Sequence, residues 1–146
     1  AGLRIDDHAT LNLGPGVYNI LYLSAGKNVT INTVAGTIVN IVQDMHFNDQ
    51  SLVQGELAYF NVLSKDVDPN SRSVTFGHNT EFHGFVFNPN GEIGLGGNND
   101  LFGHFWGQRI SGDPNNNVTH VPEPASLLLL ASGVLGAAYK RRSLSR

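Results

Sequence analysis

Val74-Thr75-Phe76-Gly77-His78-Asn79-Thr80-Glu81-Phe82-His83-Gly84-Phe85-Val86-Phe87 can be laid over Ile93-Gly94-Leu95-Gly96-Gly97-Asn98-Asn99-Asp100-Leu101-Phe102-Gly103-His104-Phe105-Trp106 at one constant offset. Val74 then matches Ile93, Phe76 matches Leu95, Gly77 matches Gly96 and Asn79 matches Asn98. Further along, Glu81 matches Asp100, Phe82 matches Leu101, Gly84 matches Gly103, Val86 matches Phe105 and Phe87 matches Trp106. A period near 20 built from short strands and Gly/Asn turns is the pattern of a solenoid, one coil per repeat, with equivalent side chains stacked. The expected architecture is an all-β, right-handed parallel β-helix, with a β-sandwich as the alternative. Asn79 and Asn98 belong at a corner, because Asn tolerates the left-handed region. Val74, Phe76, Phe82 and Val86 should point inward with their partners. Gly84 and Gly103 should permit a bend or a close backbone approach.

The rest of the body also reads as strands. The run Val17 to Leu23 alternates weakly between Gly14-Pro15-Gly16 and Ala25-Gly26, and Val29 to Asn32 alternates cleanly. Thr37 to Val42 is rich in β-branched residues, and Leu57 to Leu63 follows Gly55. No body segment carries a capped 3.6-residue apolar period. The chain has 146 residues and no cysteine, so neither a disulfide framework nor thiolate chemistry is available.

The end of the chain is different. Pro122-Glu123-Pro124 precedes an uncharged run from Ala125 to Tyr139, and Lys140-Arg141-Arg142 follow. Two domains are therefore expected: a β-helical body over 1–120 and a tail over 121–146. The prolines disfavour helix before them, so a helix should occupy 125–139 without packing on the body. Fifteen helical residues reach roughly 22 Å, short of a ~30 Å hydrocarbon core. Local thinning of the bilayer and snorkelling of Lys140 and the arginines would close that gap. The basic cluster should stay cytoplasmic, which places the body outside the cytoplasm. Five of the nine Lys and Arg precede the tail, against eleven of the twelve Asp and Glu. A body near −6 argues against a nucleic-acid surface.

The tail from Val121 to Arg142 resembles the PEP-CTERM sorting signal of Gram-negative bacteria. The resemblance implies export, transient insertion in the inner membrane and recognition by an exosortase. It also implies removal of the tail near the triplet and delivery of the body to the cell surface or extracellular matrix. In that reading Pro122, Glu123, Pro124, Lys140, Arg141 and Arg142 are the sorting signal. Such a tail calls for an export signal, so an N-terminal portion preceding Ala1 is expected.

Residues 13 to 120 also resemble the choice-of-anchor A family of surface proteins. The resemblance rests on Gly16 to Leu23, on Val29 to Asn32 with Ile38 to Ile41, on Tyr59 to Leu63, and on Phe82 to Gly91 with Gly103 to Gly107. Asn88 stands before Pro89 where that family usually has a small residue. The resemblance implies an extracellular β-rich body, of which this chain would hold the C-terminal part, and supplies no catalytic residues.

Residue chemistry in the body points away from catalysis. The odd offset between His78 and His83 puts them on opposite faces of a strand, and no histidine of one copy matches a histidine of the other, so turn or surface roles are expected rather than zinc. Glu81 and Asp100 stack beside Asn79, Asn98 and Asn99, where calcium or plain solvation would suit their oxygens. Arg72 and Arg109 form no evident pair with them. The serines lack a nucleophile elbow, and Gly94-Leu95-Gly96-Gly97 precedes no helix. Phe102, Phe105 and Trp106 are expected to be core, with stacking on sugar rings as the other use. Thr30, Thr33 and Thr37 make no regular ladder of the kind an ice-binding face needs. No cofactor and no catalytic residue are expected. The leading function is a non-enzymatic surface or matrix protein acting as spacer or adhesin. The alternative is a carbohydrate-binding or polysaccharide-active β-helix working on exopolysaccharide.

Overall fold

In a computed structural model the chain is described over residues 1–64 and 72–121 and at isolated positions between 133 and 140. Twelve strands follow one another: β1 (Leu3–Ile5), β2 (Thr10–Leu13), β3 (Gly16–Ile20), β4 (Leu23–Ala25), β5 (Thr30–Thr33) and β6 (Thr37–Ile41). Then come β7 (Met45–Phe47), β8 (Leu52–Val62), β9 (Val74–Phe76), β10 (Glu81–Leu95), β11 (Asp100–Gly112) and β12 (Asn117–His120). Every pairing between them is parallel. The result is a parallel β-solenoid of about six turns, and the sandwich alternative, whose sheets are antiparallel, is excluded.

Each coil contributes to three faces. The first stacks β1, β4, β7, β9 and the ends of β10 and β11. The second stacks β2, β5, the start of β8, the starts of β10 and β11, and β12. The third stacks β3, β6, the end of β8 and the middles of β10 and β11. The repeat sets the register where it was read: Val74 pairs with Ile93, Glu81 with Asp100, Gly84 with Gly103 and Phe87 with Trp106. Elsewhere the coil length varies. Leu3 lies under Leu23, Leu23 under Met45, Met45 under Val74 and Ile93 under Ile110. The longest of these coils runs from Met45 to Val74 and the shortest from Ile93 to Ile110.

The corner between the first and second faces keeps these unequal coils in step. His8, Asn28, Gln50, Asn79, Asn98 and Asn115 all have φ between 54° and 65°. They form one left-handed position per coil, and the expected corner role of Asn79 and Asn98 holds. Amide hydrogen bonds continue through it: His8 N–H donates to the Lys27 carbonyl, Asn28 to Asp49, Gln50 to His78 and Asn79 to Gly97. Just inside, Ser51, Thr80 and Asn99 are buried. Ser51 Oγ donates to the Asn48 carbonyl (2.8 Å), and Asn99 Nδ2 donates to the Gly96 carbonyl (3.0 Å) while its Oδ1 accepts the Thr80 N–H (2.7 Å). Polar groups that a bend strips from the sheet ladder are thus satisfied locally, as buried backbone requires.

Inside the solenoid the apolar columns run along the axis. Val74, Phe76, Phe82 and Val86 are buried, with Ile93, Leu95 and Leu101 stacked above three of them. Phe47 lies parallel to Phe76 at 5.5 Å, and Phe82 packs edge-on to both at 5.7 and 5.0 Å. Each such ring contributes about 1.5–3 kcal/mol by leaving water. Leu21 and Tyr22 turn the corner between β3 and β4, so the expected single strand from Val17 to Leu23 is two.

Most of the helix expected over 125–139, together with Pro122, Glu123, Pro124, Arg141 and Arg142, lies outside the described residues. Tyr139 and Lys140 are exposed. Among the described residues no helix is long and apolar enough to cross a membrane.

The tightest point of the shaft is the second-to-third bend. Gly103 has φ +145°, and a Cβ there would overlap the Gly84 carbonyl oxygen. Gly16 has a similar φ of +140° with open space around it. Gly103→Ala should therefore cost about 3 kcal/mol or more in urea unfolding, strain plus overpacking. Gly16→Ala should pay only strain, about 1–2 kcal/mol. Equal losses would refute this account of the bend.

Candidate functional site

The third face carries three of the solenoid's large exposed rings, Tyr59, Phe87 and Trp106. Side chains alternate along a strand, so residues 17, 19, 38, 40, 59, 61, 85, 87, 104 and 106 point outward there. None of these ten is charged. Two columns result. In the first, Tyr59 stacks on Phe85 (4.7 Å, 24°) and Phe85 on His104 (5.5 Å, 25°). In the second, amides give way to rings. Asn40 Nδ2 donates to Asn19 Oδ1 (2.8 Å) and Asn61 Nδ2 to Asn40 Oδ1 (2.9 Å), and the column continues through Phe87 to Trp106. Trp106 is 67% exposed and tilted 44° to Phe87. A second amide ladder, Asn12–Asn32–Gln54, lies on the neighbouring face.

This corrects the expected core placement of the aromatic group. Phe105 does reach inward and packs on Phe76 and Phe82 at 6.3 and 5.8 Å. Phe102 and Trp106 point out, because strand alternation places neighbours of an inward residue on the opposite side. The two Asn columns were missed in the sequence reading, although a signal for them exists: Thr10-Leu11-Asn12 repeats as Thr30-Ile31-Asn32, and Asn19, Asn40 and Asn61 recur at even spacing.

The histidines scatter. His83 pairs in register with Phe102 and lies 3.1 Å from Glu81, and His78 Nδ1 accepts the Gly97 N–H at 2.8 Å. His46 Nδ1 meets Thr75 Oγ1 at 2.6 Å. His104 and His120 do approach, with ring centroids 5.8 Å apart, through a coil the two-copy repeat did not include. Glu81 and Asp100 stack as expected, yet they turn to different partners: Glu81 to His83, and Asp100 Oδ1 to the Asn117 amide (3.0 Å). Asn99 faces inward. Among the described residues no three His, Asp or Glu converge on a metal position.

Arg72 and Arg109 find a partner that sequence spacing did not disclose. Glu92, only 5% exposed, receives Arg109 Nε (2.9 Å) and Nη2 on Oε2, and Ser111 and Arg72 Nε (3.3 Å) on Oε1. Gly94 makes room, since a Cβ there would collide with Arg72 Cδ. Beneath lies a buried pair: Asn88 Nδ2 donates to Ser73 Oγ at 2.8 Å and to the Glu92 carbonyl at 3.3 Å. Both Glu92 oxygens are occupied, and a shift of register between Asn88 and Glu92 is what brings Arg109 alongside. An irregular loop closure generated the site, so a regular repeat could not reveal it.

The Ser111 hydrogen bond, then the two guanidinium groups, hold the Glu92 carboxyl below its usual range against the opposing effect of desolvation. A folded value below the unfolded one, about 4.3, means stabilisation that is complete above it and lost as pH falls through the folded value. Half-exposed arginines are screened, so the charged hydrogen bonds carry most of the effect. Glu92→Gln should cost about 2 kcal/mol at neutral pH and flatten the acid limb of the urea midpoint against pH. An unchanged acid limb would show that Glu92 is not the linked group.

Comparison with curated proteins returns no match, and comparison with solved structures returns none either. Neither these nor the family comparison supports the choice-of-anchor A resemblance of the body. One family model, described as the PEP-CTERM protein-sorting motif, matches residues 120–142. The tail therefore carries a PEP-CTERM sorting signal, which implies recognition by an exosortase and export through membrane sorting to the cell surface.

Proposed function

We propose that the protein is a non-enzymatic surface or extracellular-matrix protein of a Gram-negative bacterium, with its solenoid serving as spacer or adhesive module. The observation that carries this reading is the sorting motif at 120–142 following directly on a parallel β-solenoid. A stack of parallel coils buries its backbone polar groups in one continuous ladder, which suits a rigid shaft outside the cell. Both Glu92 oxygens are engaged, which leaves that carboxylate poorly placed as a base.

A carbohydrate-binding role is the second reading, favoured by the uncharged third face. Exposed rings and amides in shared columns offer apolar stacking and hydrogen bonding together, the combination a neutral glycan needs. Successive coils stand about 4.8 Å apart, close to the length of one pyranose unit. Tyr59, Phe85 and His104 spend faces on each other, and Trp106 is the most exposed ring of this face and so the one best placed to meet a ligand. It is also the chain's single tryptophan.

Two experiments follow. Glu123→Ala, or Lys140, Arg141 and Arg142 reversed to Glu, should leave an uncleaved precursor in the inner membrane of the native host. The reversal removes about 1 kcal/mol of attraction per residue to an anionic leaflet. Both variants reaching the surface at mature size, by fractionation with an antibody to the body, would defeat the sorting role. For the second reading, titrating the purified body with host exopolysaccharide should shift Trp106 fluorescence, and Trp106→Ala should weaken retention about tenfold, from loss of roughly 1–2 kcal/mol of stacking. A fluorescence spectrum indifferent to saturating polysaccharide removes the glycan role.

A further inference from the structure

The sorting motif does not begin beyond the body. Its match starts at residue 120, and His120 is the last residue of β12. Pro122-Glu123-Pro124 therefore follows a strand of the solenoid with only Val121 between. That strand is held lightly. β12 has four residues, all exposed, and among the described residues pairs on one side only, with residues 100–103 of β11. Beyond its ladder, Asn117 Nδ2 donates to Asp100 Oδ1 at 3.0 Å.

At its far end stands a clasp. His104 Nε2 lies 2.6 Å from the Val121 carbonyl oxygen. A carbonyl only accepts, so the imidazole donates its Nε2–H. The ring is held in place from behind by its stack on Phe85, itself stacked on Tyr59. The outer aromatic column of the shaft thus ends on the residue that precedes the triplet.

We propose that β12 and the His104 clasp gate maturation: docked on β11, residues 117–121 shield the start of the sorting signal, and the strand must peel away before a processing enzyme can take the segment as an extended substrate. This rests on the sorting function proposed above. A processing enzyme that cuts near the triplet needs free backbone on both sides of the bond, and here that backbone is engaged on the upstream side. A short, exposed edge strand opens at low cost, so the barrier is one of rate and not an absolute block. His104 is a positioning residue in this scheme and touches no reacting atom.

His104→Phe separates the clasp from the stack, because Phe keeps a ring on Phe85 and has no donor. His104→Gln restores a donor without the ring. In the purified full chain in detergent, digestion with a broad-specificity protease should cut between residues 117 and 124 about fivefold faster in His104→Phe, the scale of one lost hydrogen bond. His104→Gln should fall between it and the parent, and the urea midpoint of the body should be unchanged in His104→Phe, which keeps the stack. In the native host, His104→Phe should shorten the lifetime of the precursor. Equal cutting rates for His104→Phe and the parent would overturn the clasp. Faster cutting in vitro with an unchanged or longer precursor lifetime would overturn the gate. If instead Glu123→Ala matures normally while His104→Phe still speeds proteolysis, the sorting role fails and the clasp stands.

Discussion

The whole architecture depends on one left-handed residue per coil. At His8, Asn28, Gln50, Asn79 and Asn98 the chain turns from the first face to the second without losing its amide ladder to the next coil, and Asn115 repeats the turn in the last coil. A residue with φ near +60° costs about 1 kcal/mol or more unless Gly or Asn occupies it. Four of the six are Asn. His8 and Gln50 accept the same conformation because the coil above holds their amides. The corner is thus imposed by stacking and merely eased by residue choice. That is why coils of such unequal length can share one register: length differences are absorbed in the other two bends, and the corner stays common.

Stacking has a second consequence. Where every coil repeats its neighbour, each interior side chain meets a near-copy of itself, and columns of Val, Ile and Phe pack without detailed complementarity. Phe47 over Phe76 is such a pair. Outside, the same rule produces amide ladders, since the Nδ2 of one Asn reaches the Oδ1 of the next. It also produces ring stacks whose faces are consumed internally. An exposed aromatic column on a solenoid is therefore a stabilising feature by default. It becomes available to a ligand only where the column ends or tilts, as at Trp106.

Much of this was legible in the sequence where two consecutive coils have equal length. Val74 to Phe87 over Ile93 to Trp106 yielded the true register, the inward residues and the corner. Earlier coils, whose offsets differ from that one and from each other, hid the same pattern because a slip of one or two positions destroys a fixed-period alignment. The small strands β1, β7 and β12 have three or four residues, too few to show alternation. Phe102 and Trp106 were misplaced for a different reason. Aromatic type alone suggests burial, and only alternation from Phe105 settles which neighbours face out. The partnership of Glu92 with Arg72 and Arg109 depends on a bulge and a bend, neither of which leaves a periodic trace.

Periodicity also locates where specific chemistry is possible. A perfectly regular shaft presents the same surface at every coil, so it can hold a ligand only as a repeated polymer and cannot single out one position. The breaks in regularity are few. They are the long coil between Met45 and Val74, the Glu92 cluster at the register shift, and the last coil with β12. The Glu92 cluster is spent on itself, since every carboxylate oxygen already has a partner. The last coil is otherwise. There a column of stacked rings stops, an imidazole donates its N–H out of the column, and the strand it touches runs directly into the sorting motif. An interaction that ends a repeat has no copy below it to share its load. It can therefore be weakened without disturbing the shaft, and that independence is what a step between a folded body and a processed tail requires.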